Sequence, residues 1–327
     1  MSAILLSLFI GLRHEVGVDW FNYLPYLYRA QGLSLTEFVT ICLNDWGDPG
    51  YNFLNWLFAG YSWGIYGVNL ISAIIFSGGL ILFCQKQPRP RLAVCVSIPY
   101  FIIVVAMGYS RQAVAIGFIM VGLNSLERGR LTPFLSSVAL AATFHSTALA
   151  LLGFIVPAIP GRTLASRFLR LILLLIVGLI LGQVFLSSRV EGLVEGYIDS
   201  EYKSEGAAIR VAMNAVASAI LLFNPMKFNF SFEKLRLWSA MAYMAIACVV
   251  VLVLFPSNST AVDRIALYII PLQIVVLSHL PDTRLLGLKQ GTLVMCVLVY
   301  CFMIQFVWLN FATYSIGWIP YSNVLLR

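Results

Sequence analysis

The feature that most constrains the fold of this chain is a succession of long apolar runs separated by short polar stretches. Hydrophobic residues make up 60% of the 327 residues and charged residues 11%, whereas soluble domains carry about 25% charged residues. A run of about 20 apolar residues can cross a bilayer as a helix. The chain is therefore predicted to be an all-α, polytopic membrane protein. The predicted membrane segments are approximately 66–84, 92–107, 111–126, 131–159, 170–187, 209–226, 237–255, 262–280 and 291–312.

Two apolar stretches have unusual lengths. Residues 1–12 would rise only about 18 Å as a helix, less than the roughly 30 Å of the hydrocarbon core. They are interpreted as a short first helix among its neighbours or as the continuation of a longer natural sequence. Residues 131–159, if they crossed once, would put Arg162 opposite Arg128, against the tendency of basic loops to stay cytoplasmic. We therefore predict a re-entrant hairpin with His145 at its apex, and about 10 membrane segments in all.

The charges separate between the two sides of this topology. The predicted cytoplasmic loops hold 13 basic and 3 acidic residues, a net charge of +10, and the opposite side holds 8 basic and 11 acidic residues, a net charge of −3. This asymmetry is typical of membrane topology and accounts for the basic character of the chain without nucleic acid. The six cysteines show no metal-ligand or redox spacing and are interpreted as packing residues.

Several ionisable residues fall on the predicted non-cytoplasmic side, among them Arg13, Arg111, His145 and Arg264. A guanidinium beside a lipid-embedded helix is costly unless it meets water, a partner or an anionic ligand. Arg111, in the sequence Ser110-Arg111-Gln112 between two apolar runs, is therefore the first candidate for a functional residue. The alternative is an interfacial arginine that extends to the lipid headgroups.

Four motifs occur in the order seen in one family of membrane proteins. They run from Leu12 to Tyr23 (LRHEVGVDWFNY), from Asp48 to Tyr51 (DPGY), from Ser110 to Ala115 (SRQAVA) and from Ala142 to Ala148 (ATFHSTA). With these motifs the chain resembles the EpsG family of Wzy-like polymerases of exopolysaccharides, capsules and O-antigens. Asp263-Arg264 and Ile319-Pro320-Tyr321 fit the later part of the family more loosely. His14, Val18 and Trp20 depart from the usual first motif, and the first helix is shorter than is usual in the family.

The resemblance implies a GT-C-like glycosyltransferase that forms one membrane-embedded domain over residues 1–327, with outward loops at 13–50, 188–210 and 313–327. Its implied site is the outer face of the bacterial inner membrane. There it would join oligosaccharide repeats carried on undecaprenyl diphosphate. The implied partners are the donor and acceptor lipids, the surrounding membrane and, as a further candidate, a chain-length regulator; no nucleic acid is expected.

The chemistry of this reaction assigns expected roles to the candidate residues. The leaving diphosphate gathers negative charge, which arginine stabilises with a planar and permanently charged fork, so Arg13, Arg111 and Arg264 are the candidates to bind it. The acceptor hydroxyl needs a base. The further candidates are His145, Asp19 and Glu15 as the base, and Gln112, Tyr23 and Tyr321 as other substrate contacts. Neither a metal nor a cofactor is expected, because no Asp-x-Asp pair is present.

Alternatives remain open at this stage. His145 can instead stabilise the hairpin through a carbonyl, and Asp19 can cap a helix or pair with an arginine. Tyrosines and tryptophans of the outward segments can serve as membrane anchors rather than sugar contacts. The competing classes of protein are a transporter (flippase) of lipid-linked oligosaccharides and a membrane acyltransferase that modifies exported polysaccharide.

Overall fold

A computed structural model describes residues 3–44, 47–154, 206–256 and 259–326, together with isolated positions between 166 and 179. Over these residues the fold is all-helical. Within them the α-helices are α1 (Ala3–Gly11), α2 (Trp20–Ala30), α3 (Leu35–Asn44), α4 (Pro49–Phe58), α5 (Gly64–Cys84), α6 (Pro90–Ser97), α7 (Ser110–Leu126), α8 (Leu131–Phe144), α9 (Ala207–Phe223), α10 (Phe232–Leu254), α11 (Ser259–His279) and α12 (Gln290–Phe311).

Four of the described helices are long and apolar enough to cross a membrane. They are Gly64–Cys84, Phe232–Leu254, Ser259–Thr283, which extends α11 by one short turn, and Gln290–Phe311. Three further apolar stretches are shorter than a full crossing: Pro90–Ala106, Leu131–Phe144 and Ala207–Phe223. Several apolar helices together make this a membrane protein. Since the described residues include four helices of crossing length and three shorter apolar stretches, the total of about 10 membrane segments and the GT-C-like architecture both stay predictions.

The centre of the bundle is built from α5, α7 and α11, in each of which most residues are buried. Helices α5 and α7 approach so closely at Gly79 and Gly117 that a Cβ atom on Gly79 would lie 2.2 Å from the Gly117 carbonyl oxygen. Small residues allow such contact between membrane helices. Helix α11 is the most enclosed of the four long helices, whereas α12 lies at the periphery with most of its surface exposed. The first turns of α7 and α11 are joined by a hydrogen bond from the Gln112 amide to the Arg264 carbonyl.

The first and last segments of the described chain pack together. Helix α1 ends at Gly11, and the backbone N–H of His14 then donates to the Ser322 carbonyl at 3.0 Å, while that of Val324 donates to the Leu12 carbonyl at 2.9 Å. The indole of Trp318 donates to the Ile103 carbonyl at 2.7 Å. The predicted outward loop 313–327 thus binds back onto the first motif over its described residues.

Ionisable residues gather at both ends of the helix bundle. At the end where α7 finishes, Glu127 lies 3.7 Å from the Lys234 ammonium and accepts a hydrogen bond from the Trp238 indole at 2.5 Å. Arg89 pairs with Asp282 at the same end. The other end, where α7 begins, holds the residues that the sequence singled out. We call it the site end.

The predicted segments agree with the helices in most places. The chain breaks at His145, where the apex of the hairpin was predicted: α8 stops at Phe144, His145 is extended, and a 3₁₀-helix follows over Ser146–Phe154. The re-entrant hairpin itself stays a prediction. The segment predicted at 92–107 divides into α6 and a π-helix over Ile98–Ala106. The predicted outward loop 13–50 contains α2 and α3 and the beginning of α4. The return limb beyond Phe154, most of segment 170–187 and the outward loop 188–205 lie outside the described residues.

Candidate functional site

The site end is built from the termini of five helices. Asp19 precedes α2, Asp48 precedes α4, Arg111 stands in the first turn of α7, His145 follows α8, and Arg264 stands in the first turns of α11. Helix termini can present polar side chains without interrupting an apolar helix. Four of the five residues come from the motifs that the sequence analysis singled out, which are far apart along the chain.

Arg111 lies in an aromatic and acidic pocket. Its Nη1 donates to Asp48 Oδ2 at 2.9 Å. Its guanidinium carbon lies 5.8 Å from the ring centre of Tyr23, 5.0 Å from that of Tyr26 and 6.0 Å from that of Tyr51. Distances within about 6 Å allow cation–π attraction. The Arg111 side chain is 29% exposed, so it is partly accessible while Asp48 and the three rings hold the guanidinium in place.

The DPGY motif accounts for the position of Asp48. Pro49 opens α4, where its missing N–H costs nothing, and the Asp48 side chain makes no capping hydrogen bond to that helix. A Cβ atom on Gly50 would lie 2.5 Å from Thr143 Oγ1 and 2.9 Å from a ring carbon of Phe144. Glycine therefore lets α4 pack against the end of α8. This contact brings Asp48 to the same place as the residue that follows α8, His145.

His145 contacts the next turn and the neighbouring helix α11. Its Nδ1 lies 2.7 Å from Thr147 Oγ1, and Thr147 Oγ1 lies 3.4 Å from the hydroxyl of Tyr268. The positive charges of Arg264 and Arg111 both act on the imidazole. His145 is thus brought together with the two arginines. The hydrogen-bond partner of its Nδ1 is a side chain, not the carbonyl of the alternative interpretation.

Asp19 occupies the N-cap position of α2 but makes no capping hydrogen bond to that helix. Its carboxylate accepts a hydrogen bond from the Asn22 amide at 3.0 Å. Burial raises the pKa of Asp19, and the Asn22 hydrogen bond and the positive charges of Arg111 and Arg264 oppose this rise. The arginines act on Asp19 as they act on His145, so Asp19 belongs to the same cluster. It is half-buried and lies within reach of the pocket.

Gln112 connects α7 to α11. Its amide donates to the backbone carbonyl of Arg264 at 2.7 Å, which makes Gln112 a support for the position of Arg264. A second contact at the start of α11 comes from Arg210, which forms a buried ion pair with Asp263. The guanidinium carbon of Arg210 also lies 5.8 Å from the ring centre of Tyr109.

Arg13 is placed beneath the pocket rather than in it. It is 1% exposed. Its guanidinium donates to the carbonyls of Ile10 at 2.8 Å and Val16 at 3.2 Å and to the side chains of Ser110 at 2.8 Å and Asn69 at 3.4 Å. These four hydrogen bonds hold the guanidinium inside the protein, and the one to Ser110 links it to the start of α7, so the geometry gives Arg13 a supporting position. Its predicted role as a diphosphate ligand is not favoured by these contacts.

Glu15 and Tyr321 also make contacts of their own. The Glu15 carboxylate lies 3.6 Å from the His14 imidazole and is 53% exposed. The Tyr321 hydroxyl donates to the Phe9 carbonyl at 2.6 Å, and its ring stacks on that of Phe9. Tyr321 therefore fastens the last segment to α1, whereas Tyr23 is the tyrosine of the predicted set that faces Arg111.

Some residues of the cluster were not singled out as site residues from the sequence. Asp48 and Thr147 lie inside the quoted motifs, and their positions were the only signal. Tyr26 and Tyr51 were indistinguishable from membrane anchors. Arg210 and Tyr268 carried no sequence signal that separates them from other polar residues near helix ends. In the described ranges, no group of three His, Cys, Asp or Glu side chains is arranged to hold a metal ion.

The cluster combines two chemical capacities. The positive charges of Arg111 and Arg264 both act on His145 and Asp19, and two arginine charges are suited to an anion such as a phosphate. His145 and Asp19 are groups that can accept a proton in the same region. An enzyme that displaces a phosphate-type leaving group by a hydroxyl needs both capacities close together.

Comparison with known proteins supports the resemblance expected from the motifs. The model of the EpsG family matches residues 1–323, nearly the whole chain. No match was found among curated proteins or among solved structures. On the extent of the family match, the chain belongs to the EpsG family, a family of Wzy-like polysaccharide polymerases.

Proposed function

We propose that the protein polymerises oligosaccharide repeats carried on undecaprenyl diphosphate at the outer face of the bacterial inner membrane. The observation that carries this proposal is the gathering of Arg111, Arg264, Asp19 and His145 at one end of the bundle. The family supplies the reaction class, polysaccharide polymerisation. The cluster supplies groups that suit a lipid-diphosphate donor and a hydroxyl acceptor.

The leaving group sets the first requirement. When the bond between the anomeric carbon and the diphosphate breaks, its electron pair stays on the diphosphate oxygen. Arg111, held by Asp48 and the tyrosines, and Arg264, supported through Gln112, would stabilise this charge. Preorganised donors stabilise developing charge because they do not have to reorient during the reaction.

The acceptor hydroxyl sets the second requirement. It must lose a proton as the new glycosidic bond forms, and the base must lie within hydrogen-bond reach. We assign this role to His145, because a neutral imidazole can accept a proton at a ring nitrogen and because its Nδ1 already has a hydrogen-bond partner in Thr147. Asp19 is the second candidate. Glu15, paired with His14, is the weakest of the three.

The charges at the opposite end of the bundle support an outward orientation of the site. Arg89, Lys234 and their basic neighbours lie there, and basic loops favour the cytoplasmic side. The site end would then face outward, where nucleotide-sugars are absent in bacteria. A donor there must bring its own activation, which a sugar linked to a lipid diphosphate does.

Analysis of lipid-linked glycans tests the proposed function. Cells that lack the protein should accumulate single repeats on the outer leaflet, and the intact protein should restore the polymer. Single repeats trapped on the inner leaflet would instead identify a flippase. Full-length polymer that lacks acyl groups would identify an acyltransferase. Either result would overturn the proposal.

A further inference from the structure

Thr147 links the candidate base to a buried tyrosine of α11. We propose that Thr147, anchored by Tyr268, is a positioning residue that keeps the resting proton of His145 on Nδ1 and leaves Nε2 as the basic nitrogen. This inference rests on the proposed role of His145 as the base. It adds the tautomer, the reacting nitrogen and the two residues that determine them.

The hydrogen bonds of Thr147 carry the inference. A threonine hydroxyl has one proton to donate and two lone pairs. Thr147 Oγ1 donates to the Tyr268 hydroxyl at 3.4 Å and lies 2.7 Å from His145 Nδ1. With its one proton directed to Tyr268, Thr147 meets the imidazole as an acceptor, and we therefore assign the proton between them to Nδ1. A neutral imidazole holds one ring proton, so the lone pair is on Nε2.

The surroundings hold this arrangement in place. Tyr268 is fully buried and Thr147 is 7% exposed, so water does not compete freely for their hydroxyls. Tyr268 follows Arg264 by four residues on α11 and therefore lies on the same face of that helix. The charges of Arg264 and Asp48 both act on it. Tyr268 is thus a buried residue of α11 at the site end, and its contact with Thr147 holds Thr147 against His145.

The proposed tautomer suits the transfer step. The acceptor hydroxyl gives its proton to Nε2 while its oxygen forms the bond to the anomeric carbon. The bond from that carbon to the diphosphate breaks, and the electron pair leaves with the diphosphate. The resulting imidazolium keeps its Nδ1–H bonded to Thr147 and later releases the Nε2 proton to water. With the opposite tautomer, Nε2 would already be protonated and could not accept a proton.

Three variants test the role of Thr147 in the purified protein. Thr147→Val keeps the shape but loses the hydroxyl, and we expect turnover of lipid-linked repeats to fall about ten- to a hundredfold. Thr147→Ser keeps the hydroxyl and should stay within about threefold of the parent protein. Tyr268→Phe should cause a smaller loss than Thr147→Val, because Thr147 itself remains.

Thr40→Val is the matched control, since the Thr40 hydroxyl donates only within its own helix, to the Thr36 carbonyl at 2.8 Å. Failure of Thr147→Ser to rescue turnover would overturn the proposal.

The tautomer can be measured without any activity. The chain has three histidines, so the protein labelled with ¹⁵N-histidine in lipid nanodiscs gives few imidazole signals, and a His145→Gln variant identifies those of His145. We expect a protonated Nδ1 and an unprotonated Nε2, preserved in Thr147→Ser and lost in Thr147→Val. A resting Nε2–H tautomer, or a spectrum unchanged by Thr147→Val, would contradict the proposal. If the tautomer is as expected but His145→Gln still polymerises normally, the base assignment fails and the hydrogen-bond assignment stands.

Discussion

Asp48 and Arg111 form an ion pair across 63 residues of sequence, with 2.9 Å between Asp48 Oδ2 and Arg111 Nη1. The two residues belong to separate motifs: Asp48 immediately precedes α4, and Arg111 lies in the first turn of α7. Arg111 is therefore part of the protein's own charge balance as well as a candidate ligand for an anion. Any test of its function must separate the two roles.

Arg111→Lys should reduce polymerisation roughly ten- to hundredfold while the protein still folds and inserts. Lysine keeps the charge but loses the planar fork that donates to Asp48 and faces three tyrosine rings. Charge-assisted hydrogen bonds are worth about 1.5–3 kcal/mol, which corresponds to this range of rates. The measurement is the rate of polymer formation from lipid-linked repeats by the purified variant, together with its yield in the membrane.

Asp48→Asn is the matched control for this variant. It removes the acidic partner and keeps the guanidinium, so we expect it to retain more activity than Arg111→Lys. Equal losses in the two variants would make Arg111 a structural partner of Asp48. Normal polymer from Arg111→Lys would return it to the role of an arginine that extends to the lipid headgroups.

His145→Ala should slow turnover by about 10² to 10⁴, the usual contribution of a general base. Binding of the lipid-linked substrates should change little, because the arginines that would hold the diphosphate remain. His279→Gln is the control. That histidine contacts the Val275 carbonyl at 2.8 Å and lies near Lys234, at the opposite end of the bundle. Turnover of His145→Ala close to that of the parent protein would exclude the base role and favour Asp19.

Gly50→Val should disturb the site without changing any charged residue. A Cβ atom at this position would lie 2.5 Å from Thr143 Oγ1, so α4 would have to move away from α8 and carry Asp48 with it. Forcing extra atoms into a packed contact costs about 1–3 kcal/mol. We expect a lower Tm in detergent and reduced polymer formation. Gly60→Ala is the control and should change neither the Tm nor polymer formation, because nothing lies within 4 Å of a Cβ atom at Gly60. Similar losses in both variants would show that the contact with Thr143 is not the cause.

Hydropathy could predict the long helices because their length is set by the thickness of the bilayer. Segments 237–255 and 291–312 coincide closely with α10 and α12. The helices between residues 20 and 58 could not be predicted in this way, since they are short and rich in aromatic residues.

The site could also be predicted only in part from the sequence. Unusual charges in apolar surroundings predicted Arg111, Arg264 and His145 as candidates, but the contact of Thr147 with Tyr268 joins residues 121 positions apart. That contact depends on how the 3₁₀-helix Ser146–Phe154 packs against α11.

The orientation of the site can be tested by labelling. In a variant without the six native cysteines, which are all free thiols, a cysteine at the exposed Gln31 should react with a membrane-impermeant reagent in intact spheroplasts. A cysteine at the exposed Lys289 should react only after the membrane is opened. The physical reason is the excess of basic residues at the end that holds Lys289. The reverse pattern would place the site end in the cytoplasm and would remove the basis for an outward-facing reaction.

Asp19→Asn should raise the stability of the protein at neutral pH while lowering its activity. Burial holds the pKa of Asp19 above its ordinary value, so the folded protein binds this proton more tightly than the unfolded chain does. The stability contributed by the protonated carboxyl is then fully present below the unfolded pKa, about 3.9, and is lost as the pH rises through the raised pKa. Asparagine cannot ionise and avoids this loss of stability.

The Tm of Asp19→Asn in detergent should therefore exceed that of the parent protein at about pH 7 and approach it at about pH 4. A lower Tm at neutral pH would mean that the attraction of Arg111 and Arg264 outweighs the cost of burial, and Asp19 would then be a structural partner of the arginines.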